Sequence, residues 1–179
     1  MKGIIFNVFE QLVARDRGEE AWDRLLDDSG LEGAHTSLGS YADGDFVKLI
    51  QSASAAWDLP ADEVVRWLGR EALPVFAERY PEFFEPHETT LEFLLTLNEI
   101  IHPEVRKLYP GAEVPVFDHS VLDHRFLTMG YRSDRKLCMF GEGLIEGAAA
   151  HFGEQVSIEQ PSCMNRGDKR CVLEISFSQ

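Results

Sequence analysis

Apolar positions in the first half of the chain repeat at three- and four-residue intervals. Over residues 5–26 this spacing predicts one helix with a single buried face. Further helices are predicted to begin near Asp43, at Pro60, where a proline suits a first helical turn, and at Thr89. A glycine and a proline within residues 69–74 predict a break or kink in the helix that begins at Pro60.

In the second half of the chain, apolar and polar positions alternate in short runs. Such runs predict strands over residues 114–116, 126–133, 156–159 and 171–177, with one more helix over 136–152. This order of elements favours an α+β fold, in which a helical N-terminal half adjoins an antiparallel sheet with one packed helix. A chain of 179 residues has the length of one domain, so residues 1–179 are expected to form a single unit.

The composition narrows the class of partner. A formal net charge of −14 argues against nucleic acid, because binding to phosphate backbones needs concentrated lysine and arginine. No apolar run approaches the roughly 20 residues of a membrane span, so membrane insertion is not expected. The apolar run at the N-terminus is too short for a signal peptide, and an acidic residue follows it too early. Three cysteines, an odd number, do not suggest a disulfide scaffold. We therefore expect a cytoplasmic protein.

Two short motifs contain the candidate chemistry. His102 falls on the packed side of the last predicted helix of the N-terminal half. Tyr131, Ser133 and Arg135 stand at alternate positions, so an extended backbone would place them on one face. Taken separately, each motif has a plainer explanation: a core histidine bonded to the backbone, and a half-exposed strand whose arginine pairs with a nearby acid.

The two motifs together indicate one cofactor. A neutral imidazole is a good ligand for iron. A guanidinium group beside two hydroxyl groups suits carboxylates, because its planar fork donates two parallel charge-assisted bonds. Haem contains both an iron and two carboxylates. We therefore predict that the chain encloses haem b (iron protoporphyrin IX), with His102 as the metal ligand.

The sequence resembles the H-NOX family of haem domains that bind nitric oxide, also found as the sensor half of soluble guanylate cyclases. The resemblance extends over nearly the whole chain. It includes Met-Lys-Gly-Ile-Ile-Phe-Asn at residues 1–7, Ile-His-Pro-Glu-Val-Arg-Lys-Leu-Tyr-Pro at 101–110, Pro115, Tyr-x-Ser-x-Arg at 131–135 and Glu-Gly-Leu at 142–144. The Tyr-x-Ser-x-Arg motif at this distance after a histidine-containing helix is specific to that family.

The resemblance implies roles for individual residues. His102 would ligate the iron, and the Tyr-x-Ser-x-Arg motif would hold the propionates. By the same matching, Pro115 would press on the macrocycle and distort it, and Ile5 would line the haem. The fold implied is that of the H-NOX family, with the haem buried between the helical half and the sheet.

The distal side of the haem decides which gas binds. Bound oxygen has partial negative charge and is held by a hydrogen-bond donor, whereas nitric oxide needs none. Oxygen-binding members of the family are known for a distal tyrosine in the late helix, and the matching position here is Phe140. Phe9 and Leu144 are apolar neighbours, and Pro74 stands where some members have a polar residue. The resemblance thus implies a nitric oxide sensor that excludes oxygen and binds carbon monoxide more weakly than nitric oxide.

The implied mechanism is a switch and not catalysis. In this family, nitric oxide weakens or breaks the bond between iron and histidine, so the segment around His102 and Pro103 can relax and the conformation changes. The sequence contains no kinase, cyclase or phosphodiesterase segment. The resemblance therefore implies a separate partner, either a histidine kinase or a cyclic-di-GMP enzyme.

Two other classes of function are alternatives. A haem enzyme such as a peroxidase needs distal acid and base groups, and the apolar set contains no distal histidine–arginine pair. A haem-free module that binds a lipid or small molecule is the other class, because Cys163-x-x-x-Gly167-x-x-x-Cys171 resembles an ending of vinyl-reductase-type ligand-binding domains. A strong Soret band in the purified protein would exclude the haem-free class.

The three cysteines raise the question of a second metal. Some bacterial relatives hold a structural zinc with three cysteines and a histidine, and Cys138, Cys163 and Cys171 resemble those three thiolates. The histidine position is Gln160, a poor zinc ligand, so the four-ligand set is incomplete and zinc is not expected. Reduced, half-buried cysteines are the plainer interpretation, and a redox-active thiol cluster is the other one.

Replacing His102 tests its assignment as the iron ligand. We expect His102→Ala to load haem poorly unless imidazole is supplied, because the substitution removes the axial ligand. The ratio of Soret to protein absorbance, with and without added imidazole, is the readout. Normal loading without imidazole would remove His102 from the ligand role.

Overall fold

A computed structural model of the protein, which describes residues 1–178, has a helical N-terminal half and a mixed C-terminal half. The helices are α1 (Gly3–Arg17), α2 (Glu19–Ser29), α3 (Asp43–Trp57), α4 (Ala61–Arg79), α5 (Thr90–Leu95), α6 (His102–Leu108) and α7 (Cys138–His151). The strands are β1 (Val116–Asp123), β2 (Phe126–Arg132), β3 (Gln155–Ser162) and β4 (Cys171–Ser178). Among the described residues, no helix has both the length and the apolar character needed to cross a membrane.

The four strands form one antiparallel sheet in the order β1-β2-β4-β3. The β1–β2 hairpin pairs Phe117 with Tyr131, and the neighbouring β2–β4 pair sets Tyr131 opposite Cys171. β1 and β3 are the outer strands of this sheet. The architecture confirms the α+β class and the antiparallel sheet that the sequence predicts.

Two large hydrophobic cores stabilise the structure, beside a small third cluster of Tyr131 and the three cysteines. The first is formed by α1 to α4, and its fully buried side chains include Phe6, Phe9, Leu12, Leu49 and Leu68. The second covers the inner face of the sheet, where Leu127, Met129, Leu173 and Ile175 pack with Ile145 and Ala148 of α7. Each core follows from a periodicity of the sequence, because one face of a helix repeats at three to four residues and one face of a strand at two.

The predicted helix over residues 5–26 is in fact two helices. α1 ends at Arg17 and α2 begins at Glu19, and Gly18 between them has a φ of +90°, which residues with a Cβ rarely adopt. Side chains on both sides of Gly18, such as Val13 and Trp22, belong to the same core. The prediction of one helix is therefore wrong, because the apolar spacing continues across a break in the backbone.

Of the break or kink predicted within residues 69–74, the break does not occur, since α4 runs without interruption from Ala61 to Arg79. Pro74 lies inside this helix at an exposed position, where its missing backbone N–H is tolerated. Gly69 allows close packing. A Cβ added there would lie 2.3 Å from the Phe140 carbonyl oxygen, so only glycine permits α7 to approach so closely.

The contact between α4 and α7 is made by backbone atoms. A Cβ at Gly143 would lie 2.0 Å from the carbonyl oxygen of Arg66, so α7 also requires a glycine at this contact. Arg66 pairs with Glu142 at 3.6 Å and also with Glu146. Glu142 is buried, and burial raises the pKa of its carboxyl group. These contacts fix the position of α7 along α4.

The predicted helix over residues 89–101 divides into α5, a π-helical turn (Leu97–Ile101) and α6. In the turn, the His102 N–H bonds to the Leu97 carbonyl, five residues back instead of four. Pro103 explains the wider turn, because it has no N–H to donate and its ring would clash with the carbonyl four residues earlier. His102 therefore stands at a junction between two helical geometries.

The boundaries of several C-terminal elements differ from the predicted ones. β1 extends to Asp123, so His119 lies in a strand and His124 in the turn that follows it. β2 ends at Arg132, one residue earlier than expected, and α7 begins at Cys138, two residues later. The ends of a strand depend on the strand with which it pairs, and the residues of one strand alone do not show where that pairing stops.

Gly143→Ala is expected to destabilise the protein by about 1–3 kcal/mol, because overpacking forces the backbones of α4 and α7 apart. Gly44→Ala is the matched control, since a Cβ at this helical glycine would meet no atom within 4 Å. The measurement is the thermal unfolding midpoint of both variants beside the unmodified chain. Equal midpoints for the two variants would contradict the close contact between α4 and α7.

Candidate functional site

A cavity of about 590 Å³ is lined by elements of both halves. Its volume falls within the roughly 300–1,000 Å³ that is common for cofactor and ligand sites. Most of its lining side chains are apolar. Eight of the candidate site residues line it: Ile5, His102, Pro115, Tyr131, Ser133, Arg135, Phe140 and Leu144. The fold thus brings together residues that lie far apart in the sequence.

Phe9 is the candidate residue that does not line the cavity. It is fully buried in the first core, where its ring packs against Trp22, Trp57 and Phe46. Phe46 does line the cavity, and its ring centroid lies 6.4 Å from that of Phe9, so Phe9 supports the cavity from behind. The expectation for Pro74 is corrected too: Pro74 is exposed and the adjacent Leu73 faces the cavity.

Among the described residues, His102 is the only histidine that lines the cavity. Its Nδ1 is buried without a hydrogen-bond partner, which leaves Nε2 for a ligand bond. Burial, with a smaller contribution from the charge of Arg106, lowers the pKa of the imidazole to about 4. The Pro115 carbonyl opposes this shift, although it makes no hydrogen bond of good geometry with Nδ1. The ring is thus neutral near pH 7, the form that binds metal.

The strand β1 contacts the imidazole directly. The ring of Phe117 stacks on His102, with 5.5 Å between centroids and 27° between planes. The backbone of Phe117 is held by the side chain of Asn98, whose Nδ2 donates to the Phe117 carbonyl at 2.6 Å. In return, the Phe117 N–H donates to Oδ1 of Asn98 at 3.2 Å. The sequence predicted Asn98 on the side of His102 but gave no sign of Phe117.

Tyr131, Ser133 and Arg135 share one side of the chain, as their alternate spacing predicts. All three line the cavity, while the residues between them are exposed. Only Tyr131 lies within β2, because the chain then enters a turn closed by a bond from the Lys136 N–H to the Ser133 carbonyl. Burial raises the pKa of Tyr131 to about 12, so its hydroxyl stays a protonated donor at neutral pH.

The guanidinium group of Arg135 is held by acidic residues from two other segments. Its Nε donates to Oδ2 of Asp43, the first residue of α3, at 2.9 Å. Its Nη1 donates to the Glu113 carbonyl at 2.9 Å, and Nη2 pairs with the Glu113 carboxylate at 2.7 Å. These partners position a cation with five donors beside the cavity, a group well suited to carboxylates.

The helices α1, α4 and α7 contribute only apolar groups to the cavity. We call this set the apolar wall; it consists of Ile4, Ile5, Leu73, Phe76, Phe140, Gly141, Leu144 and Ile145. No side chain in the apolar wall can donate a hydrogen bond. The polar groups of the cavity come instead from loops, the β-strands, α6 and the first residue of α3.

The combined set of donors fits haem. The neutral imidazole of His102 can ligate iron through Nε2, and its stack with Phe117 restrains the ring orientation. The hydroxyl and guanidinium groups of the Tyr-x-Ser-x-Arg motif can hold carboxylates. The apolar wall can enclose a hydrocarbon macrocycle. A flat cofactor with one metal and acidic tails therefore matches these three kinds of group.

Comparison with known proteins agrees with this geometry. A family model described as Haem-NO-binding matches residues 2–160. The chain belongs to the Haem-NO-binding family. Its members are haem-binding gas sensors, so the resemblance of the sequence to H-NOX domains is confirmed.

Solved H-NOX structures share the fold over the whole chain. The H-NOX protein from S. oneidensis in the Fe(II)NO state has 30% identity and a TM-score of 0.94, covering 100% of both chains. The Fe(II) unliganded H-NOX protein from K. algicida has 32% identity and a TM-score of 0.90, covering 100% of this chain and 97% of that one. The I5F mutant of T. tengcongensis H-NOX has 25% identity and a TM-score of 0.87, covering 100% and 98%.

In this H-NOX chain the three cysteines converge. The sulfur atoms of Cys138, Cys163 and Cys171 lie within 4.8 Å of one another, and all three residues are buried, more deeply than the half-buried state expected. Burial raises the pKa of Cys138 to about 12. Gln160 lies close enough to Cys138 to lower that pKa, and its Nε2 makes no hydrogen bond of good geometry. The cluster offers three ligands and an amide, and the absence of zinc remains a prediction.

Sequence reasoning missed two tyrosines of the H-NOX cavity. Tyr80 follows α4 and Tyr109 follows α6, and their hydroxyl groups are in hydrogen-bonding contact beside the cavity. Burial raises the pKa of Tyr109 to about 12. The spacing of seven residues from His102 to Tyr109 places both on one side of a helix and could have identified Tyr109. Tyr80 has no comparable signal.

The lowered pKa of His102 predicts that the ligand stays available in mild acid. An ordinary histidine has a pKa of about 6.5, so it is mostly protonated at about pH 5.5. His102 keeps its neutral form down to about pH 4, because burial disfavours the charged ring. In the haem-free protein we expect the imidazole of His102 to stay neutral from about pH 7.5 to about pH 5.5, as followed by the NMR shifts of its ring protons. A titration midpoint near 6.5 would show that the ring is solvated.

Proposed function

We propose that the chain is a haem-based nitric oxide sensor that excludes oxygen. In this proposal His102 is the axial ligand of haem b, and the apolar wall is the distal side. The bound ferrous haem supplies the iron to which the gas binds. The chain itself supplies the ligand, the grip on the carboxylates and the surroundings of the gas.

The observation on which the proposal rests is the lack of any donor in the apolar wall. Oxygen bound to iron gains stability from a hydrogen bond to its partial negative charge, whereas nitric oxide does not require one. Phe140 and Leu144 offer hydrocarbon where a donor would be needed. Carbon monoxide, which also needs no donor, is expected to bind more weakly than nitric oxide.

The Tyr-x-Ser-x-Arg motif would hold the two propionates. Tyr131 and Ser133 each offer a single hydroxyl donor, and Arg135 offers a fork with two parallel donors. Pro115 lines the same cavity at the start of the sheet half, where it would press on the macrocycle. This arrangement fixes one edge of the cofactor to the sheet while His102 fixes its centre.

The response would begin at His102. Bound nitric oxide would weaken the bond between iron and His102, which stands at the junction of a π-helical turn and α6, a change of helical geometry that is frequent at functional sites. Released from the iron, this segment can adopt a second arrangement. A signal arises only if a partner prefers one arrangement over the other.

A separate signalling protein would read this change, either a histidine kinase or a cyclic-di-GMP enzyme. No enzymatic activity of the chain itself is proposed. Peroxide or oxygen chemistry requires an acid or base beside the bound gas, and the apolar wall has no such group.

Phe140→Tyr tests the gas selectivity. The unmodified ferrous protein is expected to form a nitrosyl complex and no oxygen complex in air, as judged from its absorption spectrum. Phe140→Tyr is expected to gain measurable oxygen affinity, because the new hydroxyl can donate to bound oxygen. A stable oxygen complex of the unmodified protein would contradict the assignment of the distal side.

Phe152→Tyr is the matched control for this experiment. Phe152 directly follows α7 but does not line the cavity, so the same change of residue should leave oxygen affinity absent. Oxygen binding by both variants would show that the effect does not come from a donor in the apolar wall. A colourless protein that stays colourless with added hemin would refute haem binding itself.

A further inference from the structure

Asn98 completes the open edge of the sheet. β1 is an outer strand, and outer strands leave backbone donors and acceptors unpaired. At Phe117 both the N–H and the carbonyl are bonded by one side-chain amide, that of Asn98. The amide thus replaces the peptide group of a neighbouring strand. Because both Nδ2 and Oδ1 of the amide are bonded to Phe117, β1 can neither slide past Asn98 nor move away from it without breaking a hydrogen bond.

The same residue belongs to the segment that bears the iron ligand. Asn98 lies in the π-helical turn, four residues before His102 and on the same side of the chain. The turn is short and continuous with α6. One amide therefore joins the ligand-bearing segment directly to β1.

The strand held by Asn98 contacts the imidazole through Phe117. The ring of Phe117 stacks on His102, with 5.5 Å between centroids, and so limits rotation of the imidazole about its long axis. Pro115, two residues before Phe117, lines the same cavity as His102. The stack depends on the position of residues 115–117.

We propose that Asn98 is a positioning residue for His102. By clamping Phe117, its amide holds residues 115–117 against the imidazole and so sets the orientation of the ring and the strength of its bond to iron. This inference rests on the proposed function, because it takes His102 to be the iron ligand. Loss of the clamp should weaken the iron–histidine bond and make it easier to break.

The clamp itself can be measured without reference to the iron. In the haem-loaded ferrous carbon monoxide complex, Asn98→Leu is expected to make the Phe117 amide exchange with solvent about tenfold faster, since it loses a hydrogen bond. Asn7→Leu is the matched control. Asn7 is a half-buried asparagine of α1 whose Nδ2 donates to Ser37 at 2.9 Å, remote in sequence from the ligand segment. Unchanged exchange at Phe117 in Asn98→Leu would overturn the clamp.

The effect on the ligand is read from resonance Raman spectra of the unliganded ferrous protein. Asn98→Leu is expected to lower the iron–histidine stretching frequency and to raise the five-coordinate fraction of the nitrosyl complex, whereas Asn7→Leu leaves both unchanged. Phe117→Leu should shift the frequency in the same direction. The double variant should shift it no further, because Asn98 acts through the strand of Phe117. Additive shifts would overturn this route.

Three outcomes separate the possibilities. Faster exchange at Phe117 with an unmoved stretching frequency means that Asn98 only stabilises the sheet edge, which overturns the proposal. An unmodified protein that lacks an iron–histidine band refutes the proposed function, and the proposal with it. If Asn98→Leu does not fold, Asn98→Asp carries the same test, because it keeps the acceptor for the Phe117 N–H and loses the donor. It is expected to give a smaller shift in the same direction, and no shift would overturn the proposal.

Discussion

The partial withdrawal of one imidazole from water is the constraint on which the site depends. Withdrawal from water disfavours the charged form of a histidine, so His102 presents a neutral ring to the cavity. The opposite side of the cavity depends on how closely α7 approaches α4. A side chain at Gly69 or Gly143 would hold these helices apart and move the apolar wall with them. Two positions without side chains thus set the shape of the cavity that the imidazole faces.

Different elements have different tasks at the cavity. The helices α1, α4 and α7 supply the apolar wall, which contains no hydrogen-bond donor. The strands and the turn after β2 supply the ring that stacks on the imidazole and the groups that suit carboxylates. The segment of Asn98 and His102 is bonded to β1 at one end and contacts Tyr80, at the end of α4, through Tyr109 at the other. In the proposed function, gas selectivity and the response to the gas would therefore depend on different elements.

Much of this structure could be predicted from the sequence, where the information is local. Alternation at Tyr131, Ser133 and Arg135 correctly places three side chains on one side, although the strand itself ends at Arg132. Glycine was the main source of error. Gly18 ends a helix and Gly69 lies within one, and nothing in their immediate neighbours distinguishes a positive φ from a close helix contact.

Contacts between distant segments were beyond sequence reasoning. The bond between Arg135 and Asp43 joins residues 92 positions apart, and the stack of Phe117 on His102 exists only because β1 lies beside the π-helical turn. Phe9 illustrates a subtler limit. Its helical spacing correctly predicts that Phe9 is buried. The spacing does not distinguish a side chain that lines the cavity from one that packs behind the lining residues.

Arg135 bears on how an acidic ligand would enter. Its Nε and Nη1 donate hydrogen bonds to Asp43 and to the Glu113 carbonyl, and its Nη2 is ion-paired with the Glu113 carboxylate. A carboxylate that arrives there meets a cation already paired with two acids, in a protein whose formal net charge is −14. It must either use the N–H groups that these partners leave open or displace a carboxylate that belongs to the chain. Binding of such a ligand is then an exchange of anions, in which its carboxylate competes with Asp43 and Glu113 for the guanidinium group of Arg135.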